Sequence, residues 1–94
     1  MSLSPLCKSQ FRQNDRSRGE HVRHLVEIQT VPANEAVALV EGSHSEEYVV
    51  SIDYSLLADE MLGASCECMR FLDGYFCKHI WASIRELDAS GYSP

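Results

Sequence analysis

Cys66-Glu67-Cys68-Met69-Arg70-Phe71-Leu72-Asp73-Gly74-Tyr75-Phe76-Cys77-Lys78-His79 is the stretch that decides the fold. Three of the chain's four cysteines and one of its four histidines lie within it, spaced C-x-C-x8-C-x-H. Three thiolates and an imidazole are a tetrahedral donor set suited to structural zinc. In an extended chain, residues i and i+2 point to the same face, so Cys66 and Cys68 can both aim at one ion. Zn–S bonds of about 2.3 Å in tetrahedral geometry put their sulfurs roughly 3.7 Å apart. Cys77 and His79 need a different arrangement. On an ideal helix, i and i+2 sit about 200° apart. The spacing therefore predicts Cys77 just before a helix and His79 in its first turn.

The residues between the pairs support the same reading. Asp73-Gly74, flanked by Phe71-Leu72 and Tyr75-Phe76, carries the signature of a two-residue hairpin turn. That register sets Leu72 opposite Tyr75 and Arg70 opposite Cys77, and it folds the Cys66/Cys68 arm beside the Cys77/His79 arm. After His79, Ile80, Ile84 and Leu87 recur at helical spacing, and Gly91 marks a stop. The N-terminal dipole of this helix favours the Cys77 thiolate. Trp81 widens the apolar stripe and is expected to pack under the strands. The alternative is a half-exposed anchor for a partner, beside Lys78 and Arg85.

Other chemistries compete for these residues. Free cysteines are common in cores. Cys66 and Cys68 are poorly placed to form a disulfide with each other, and the polar N-terminal segment does not read as a signal peptide for an oxidising compartment. A nucleophilic Cys–His pair is a third reading, but it leaves two thiols unexplained. Zinc accounts for all four residues together.

C-x-C-xn-C-x-H followed by an amphipathic helix resembles the SWIM zinc finger, found in Swi/Snf-type helicases, Mutator-type transposases and many prokaryotic proteins. The run Cys77-Lys78-His79-Ile80-Trp81-Ala82 is similar to the family's C-K-H-ϕ-x-A. Cys66, Cys68, Cys77 and His79 fall on its four ligand positions. Met69 stands where the family often has proline. The resemblance covers residues 47–88 and extends more loosely back to about residue 20. It implies a role in DNA-associated machinery, by docking onto nucleic acid or a partner protein.

Size and charge narrow the classes. Ninety-four residues make one domain at most, and a chain this short commonly adds a metal to a limited core. No apolar run approaches the ~20 residues of a membrane span. The net charge is −6. Residues 1–24 hold five basic and two acidic side chains, whereas residues 25–94 hold three basic and twelve acidic. An acidic body repels phosphate, on which non-specific DNA binding rests.

In chain order, residues 1–20 read as a flexible basic segment without periodicity. The run Arg12 to Arg18 is either a nucleic-acid arm or a solvated tail. Residues 21–30 read as a first strand, with room for a bulge. Glu35 to Glu41 reads as a second strand, with Val37, Leu39 and Glu41 on one face and Ala36, Ala38 and Val40 on the other. Glu47 to Tyr54 reads as a third, rich in β-formers. Ser55 to Leu62 reads as a short helix ended by Gly63. His21, His24 and His44 lie at no ligand spacing with any cysteine.

The expected fold is α+β: a small antiparallel β meander followed by a zinc-bound ββα unit with a C-terminal helix. A single domain spans 21–90, with strands over 21–54 and the zinc hairpin and helix over 66–89. The expected function is a non-enzymatic interaction module with one structural zinc, held by Cys66, Cys68, Cys77 and His79. Its contacts are with a protein more than with nucleic acid; DNA binding is the alternative, with a thiol-dependent enzyme behind it. Arg70, Lys78 and Arg85 are the candidate partner or nucleic-acid contacts. No membrane or small-molecule substrate is expected. The location is intracellular: cytoplasmic, or nuclear in a eukaryote.

Overall fold

A computed structural model describes residues 4–30, 35–42, 47–53, 63–68 and 76–90. Four strands form one antiparallel sheet in chain order: β1 (Val26–Thr30), β2 (Glu35–Glu41), β3 (Glu47–Asp53) and β4 (Gly63–Ser65). This is the expected meander. Alternation along β2 and β3 sets its inner face. Ala36, Ala38 and Val40 are buried, as are Val50 and Ile52 across the ladder. The register pairs Ala38 with Val50 and Ala36 with Ile52. On β1, Val26 lies opposite Val40 and Ile28 opposite Ala38. The pairing then shifts between Ile28 and Thr30, which places the expected bulge at the end of that strand.

The inner face is covered by α3 (Lys78–Ala89). Ile80, Ile84 and Leu87, the stripe read from the sequence, are fully buried. Burying each of these side chains contributes roughly 1.5–3 kcal/mol. Trp81, Ala82 and Ser83 are buried too, so the first turns of α3 are enclosed on every side. A helix enclosed all round needs a second layer, and here the N-terminal residues supply it.

Two expectations are corrected at this point. Residues 1–20 were read as a flexible segment, yet α1 (Ser4–Cys7) and α2 (Gln13–His21) are helices, and both contact α3. The strand expected over 21–30 starts only at Val26; His21 ends α2, and Arg23–Leu25 is a 3-10 turn. The cause is the half of α3 that the sheet leaves uncovered. Phe11, just ahead of α2, is 4% exposed and stacks edge-on against Trp81, with ring centroids 5.1 Å apart. Gly19 brings the two helices into direct contact. A Cβ added there would lie 2.7 Å from Trp81 Cδ1 and 2.9 Å from the Lys78 carbonyl oxygen. Polar pairs complete the seam. Trp81 Nε1 donates to Glu20 (2.8 Å), Arg23 pairs with Glu86 (2.9 Å), and the Ser4 hydroxyl donates to Asp88 (2.6 Å). Trp81 is thus core, as expected, but its ring meets the N-terminal layer.

The hairpin turn at Asp73-Gly74, the helix over Ser55 to Leu62 and the stop at Gly91 lie outside the described residues. Gly63, expected to end that helix, opens β4 and pairs with Asp53.

Candidate metal centre

Each of the four donors is placed by a different feature of local structure. β4 ends at Ser65, and Cys66 follows directly. The chain then bends through Glu67 to Cys68. Glu67 pins this bend to the sheet, because its carboxylate accepts a hydrogen bond from the Val49 amide at 3.0 Å. Cys77 is the N-cap of α3, with extended backbone (φ −99°, ψ 173°). His79 is the second residue of the helix. This is the arrangement the i, i+2 spacing required: one donor before the helix, one in its first turn.

The four side chains converge. One donor atom from each of Cys66, Cys68, Cys77 and His79 lies within 4.8 Å of all the others, and all four residues are buried. His79 Nδ1 is 3.7 Å from Cys66 Sγ and 3.9 Å from Cys77 Sγ. Zn–S bonds of about 2.3 Å and Zn–N bonds of about 2.0–2.1 Å at tetrahedral angles give S···N edges near 3.5 Å. These two separations lie a few tenths of an ångström beyond such an edge, and no donor pair is wider than 4.8 Å. The donor set therefore fits zinc.

The surroundings suit a charged centre. Tyr48 packs its ring against the His79 imidazole, with centroids 4.8 Å apart, and fixes its tilt. Ser83 donates to the His79 carbonyl oxygen at 2.8 Å, which anchors the first turn from within. Hydrogen bonding with the Cys66 sulfur, together with burial, pushes the Cys77 thiol up to about 12, against a smaller downward pull from His79. A divalent cation reverses that preference, since a coordinating thiol is deprotonated outright.

Residues 48–88 match the SWIM zinc finger family. Over that segment the chain resembles a SWIM zinc finger. The matched region holds nearly all of β3, β4, all four donors and nearly all of α3, while the N-terminal layer lies outside it. No curated protein and no solved structure matches the chain.

The other candidate residues fare differently. Arg70 lies outside the described residues. Lys78 is half-buried and lines a small cavity beside the donors. Arg85 is engaged within the fold. It pairs with Glu20 at 3.1 Å and donates to the Ser4 hydroxyl at 3.3 Å. Sequence reasoning missed Gly19 and Glu20, which bind the N-terminal layer to α3, and Asp15, which is buried beside the donors. Only Gly19 carried a signal: a glycine inside a helix commonly marks a close approach.

Proposed function

We propose that this protein is a non-enzymatic interaction module of SWIM type, in which one structural zinc holds the Cys66–His79 segment. It docks a protein partner within DNA-associated machinery of a reducing, intracellular compartment. Four protein donors complete a tetrahedral shell, which leaves no coordination position for water or substrate. That closed set supports a structural over a hydrolytic metal. The compartment follows from using cysteine as a metal ligand.

The observation that carries protein contact over DNA contact is where the cations go. Arg23 is taken up by Glu20 and Glu86, and Arg85 by Glu20. Arg16 donates to the carbonyl oxygens of Lys8 and Phe11. Three of the eight basic residues thus spend their donors inside the fold, in a chain of net charge −6. Phosphate binding needs such donors free and on one face.

The test is an anisotropy titration of the zinc-loaded protein with labelled duplex DNA, paired with cross-linking of the native protein in its cell. The expected outcome is no saturable DNA signal even at about 50 mM salt, with protein cross-links on the finger. Tight DNA binding that falls steeply as salt rises would replace this reading with the nucleic-acid one.

A further inference from the structure

The metal centre has a wall that the zinc finger itself does not provide. A cavity of about 190 Å³ beside the donors is lined by Cys68, Cys77, Lys78 and His79 from the finger, and by Asp15 and Arg18 from α2. Asp15 is 3% exposed, although α2 otherwise presents polar side chains to solvent. A carboxylate is seldom buried so fully unless it is paired. The formal charges around the cavity are complementary. A divalent ion held by three thiolates and a neutral imidazole carries −1, Asp15 adds −1, and Arg18 and Lys78 add +2. The same helix turn carries Gly19, seated against Trp81 and the Lys78 carbonyl, and Glu20, which accepts the Trp81 indole N–H. Asp15 lines the same cavity as Cys68, Cys77 and His79, while residues 19 and 20 clamp the helix to α3.

We propose that α2 is a built-in cover of the metal centre, with Asp15 as its positioning residue, so that the N-terminal layer sets how fast the metal leaves. The proposal rests on the metal reading of Cys66, Cys68, Cys77 and His79 and concerns residues outside the matched segment. Removing a carboxylate that orients a metal site from behind its ligands typically costs 10–100-fold in metal affinity. Opening the cover exposes the thiolates to protons and competing chelators. Lifting α2 is therefore the gating step for release.

The experiment measures zinc transfer from the full chain to excess chromophoric chelator. Asp15→Asn should accelerate transfer about tenfold or more, and Gly19→Leu, which wedges α2 away from Trp81, should do likewise. Asn14→Ala, on the exposed side of the same helix, should leave the rate unchanged. The cobalt-substituted proteins should keep the absorption of a tetrahedral thiolate-rich site, which separates a lost cover from a lost ligand. Wild-type rates in Asp15→Asn and Gly19→Leu, with that spectrum intact, would overturn the proposal. Hydrogen exchange on the unmodified protein supplies a readout that needs no variant. Amides of Arg16 to Glu20 should be protected when zinc is bound and should open on chelation together with those of α3. Exchange in α2 that ignores the metal would also overturn it. Absence of any metal in the purified protein, by contrast, would strike the metal reading itself.

Discussion

Glu20 is the most heavily used side chain at the seam between α2 and α3: its carboxylate takes the Trp81 indole N–H, Arg85 and Arg23. It is partly exposed, so each ion pair alone is worth under about 1 kcal/mol. The buried indole donor decides the effect. Glu20→Ala leaves that donor unsatisfied and should cost about 1–3 kcal/mol, read by thermal or denaturant unfolding of the zinc-loaded protein. A change within a few tenths would mean that water replaces the carboxylate freely. At the donors, pH acts with a definite sign. With its thiol raised to about 12, the metal-free fold holds Cys77 protonated. It loses stability as pH rises past about 8.5, where the unfolded thiol ionises first. Zinc reverses the sign, because binding expels the proton and weakens on acidification. An indicator titration should find weaker zinc binding at about pH 5.5 than at about pH 7.5. Equal affinity at both would contradict thiolate ligation. These donors were legible in the sequence because tetrahedral geometry restricts their spacing. Asp15 and Glu20 were not, because a lone carboxylate in a polar segment looks the same whether solvated or buried.

Among the elements, α3 and the strands were readable and α2 was not, for one physical reason. Ile80, Ile84 and Leu87 announce a buried helix face because it is apolar, whereas β2 offers two apolar faces, Val37 with Leu39 and Ala36 with Ala38 and Val40, and only packing buries the second. Residues Gln13–His21 contain no apolar side chain at all. Their attachment depends on a glycine contact, ion pairs and the preceding Phe11, none of which leaves a periodic trace. His21 to Leu25 shared the fault: Val22 and Leu25 look like strand residues but sit in and beside a 3-10 turn. Two predictions belong at this scale. Trp81→Ala removes the ring that Phe11 stacks on and should cost about 3–5 kcal/mol. Preserved stability would mean the N-terminal layer contributes little. Gly19→Ala should destabilise as well, by about 1–3 kcal/mol, although alanine is the better helix former by nearly 1 kcal/mol. The new methyl would meet the Lys78 carbonyl at 2.9 Å, and backbone cannot swing aside. A stabilised Gly19→Ala protein would show that the helices separate easily.

The whole molecule joins two kinds of stabilisation. The sheet, α3 and the N-terminal layer share one hydrophobic cluster, into which Cys66, Cys68 and Cys77 are also packed. The metal site is therefore part of the core. Binding energy of a structural zinc is folding energy, on the order of 10 kcal/mol in small zinc peptides. Chelation should accordingly release residues 66–68 and 76–88 before β2 and β3, whose ladder has its own apolar face. Hydrogen exchange after chelator treatment reads this directly, and protection retained through α3 would contradict it. Among the described residues, no helix is long and apolar enough to cross a membrane. In the proposed function, Cys66, Cys68, Cys77 and His79 together hold one zinc ion. Native mass spectrometry of the purified protein and of four single variants, Cys66→Ser, Cys68→Ser, Cys77→Ser and His79→Ala, tests it most directly. The expected result is one zinc per chain in the parent and in a Cys7→Ser control, and loss of zinc in each of the four variants. A metal-free parent, or a full complement of zinc in any of the four, would contradict it.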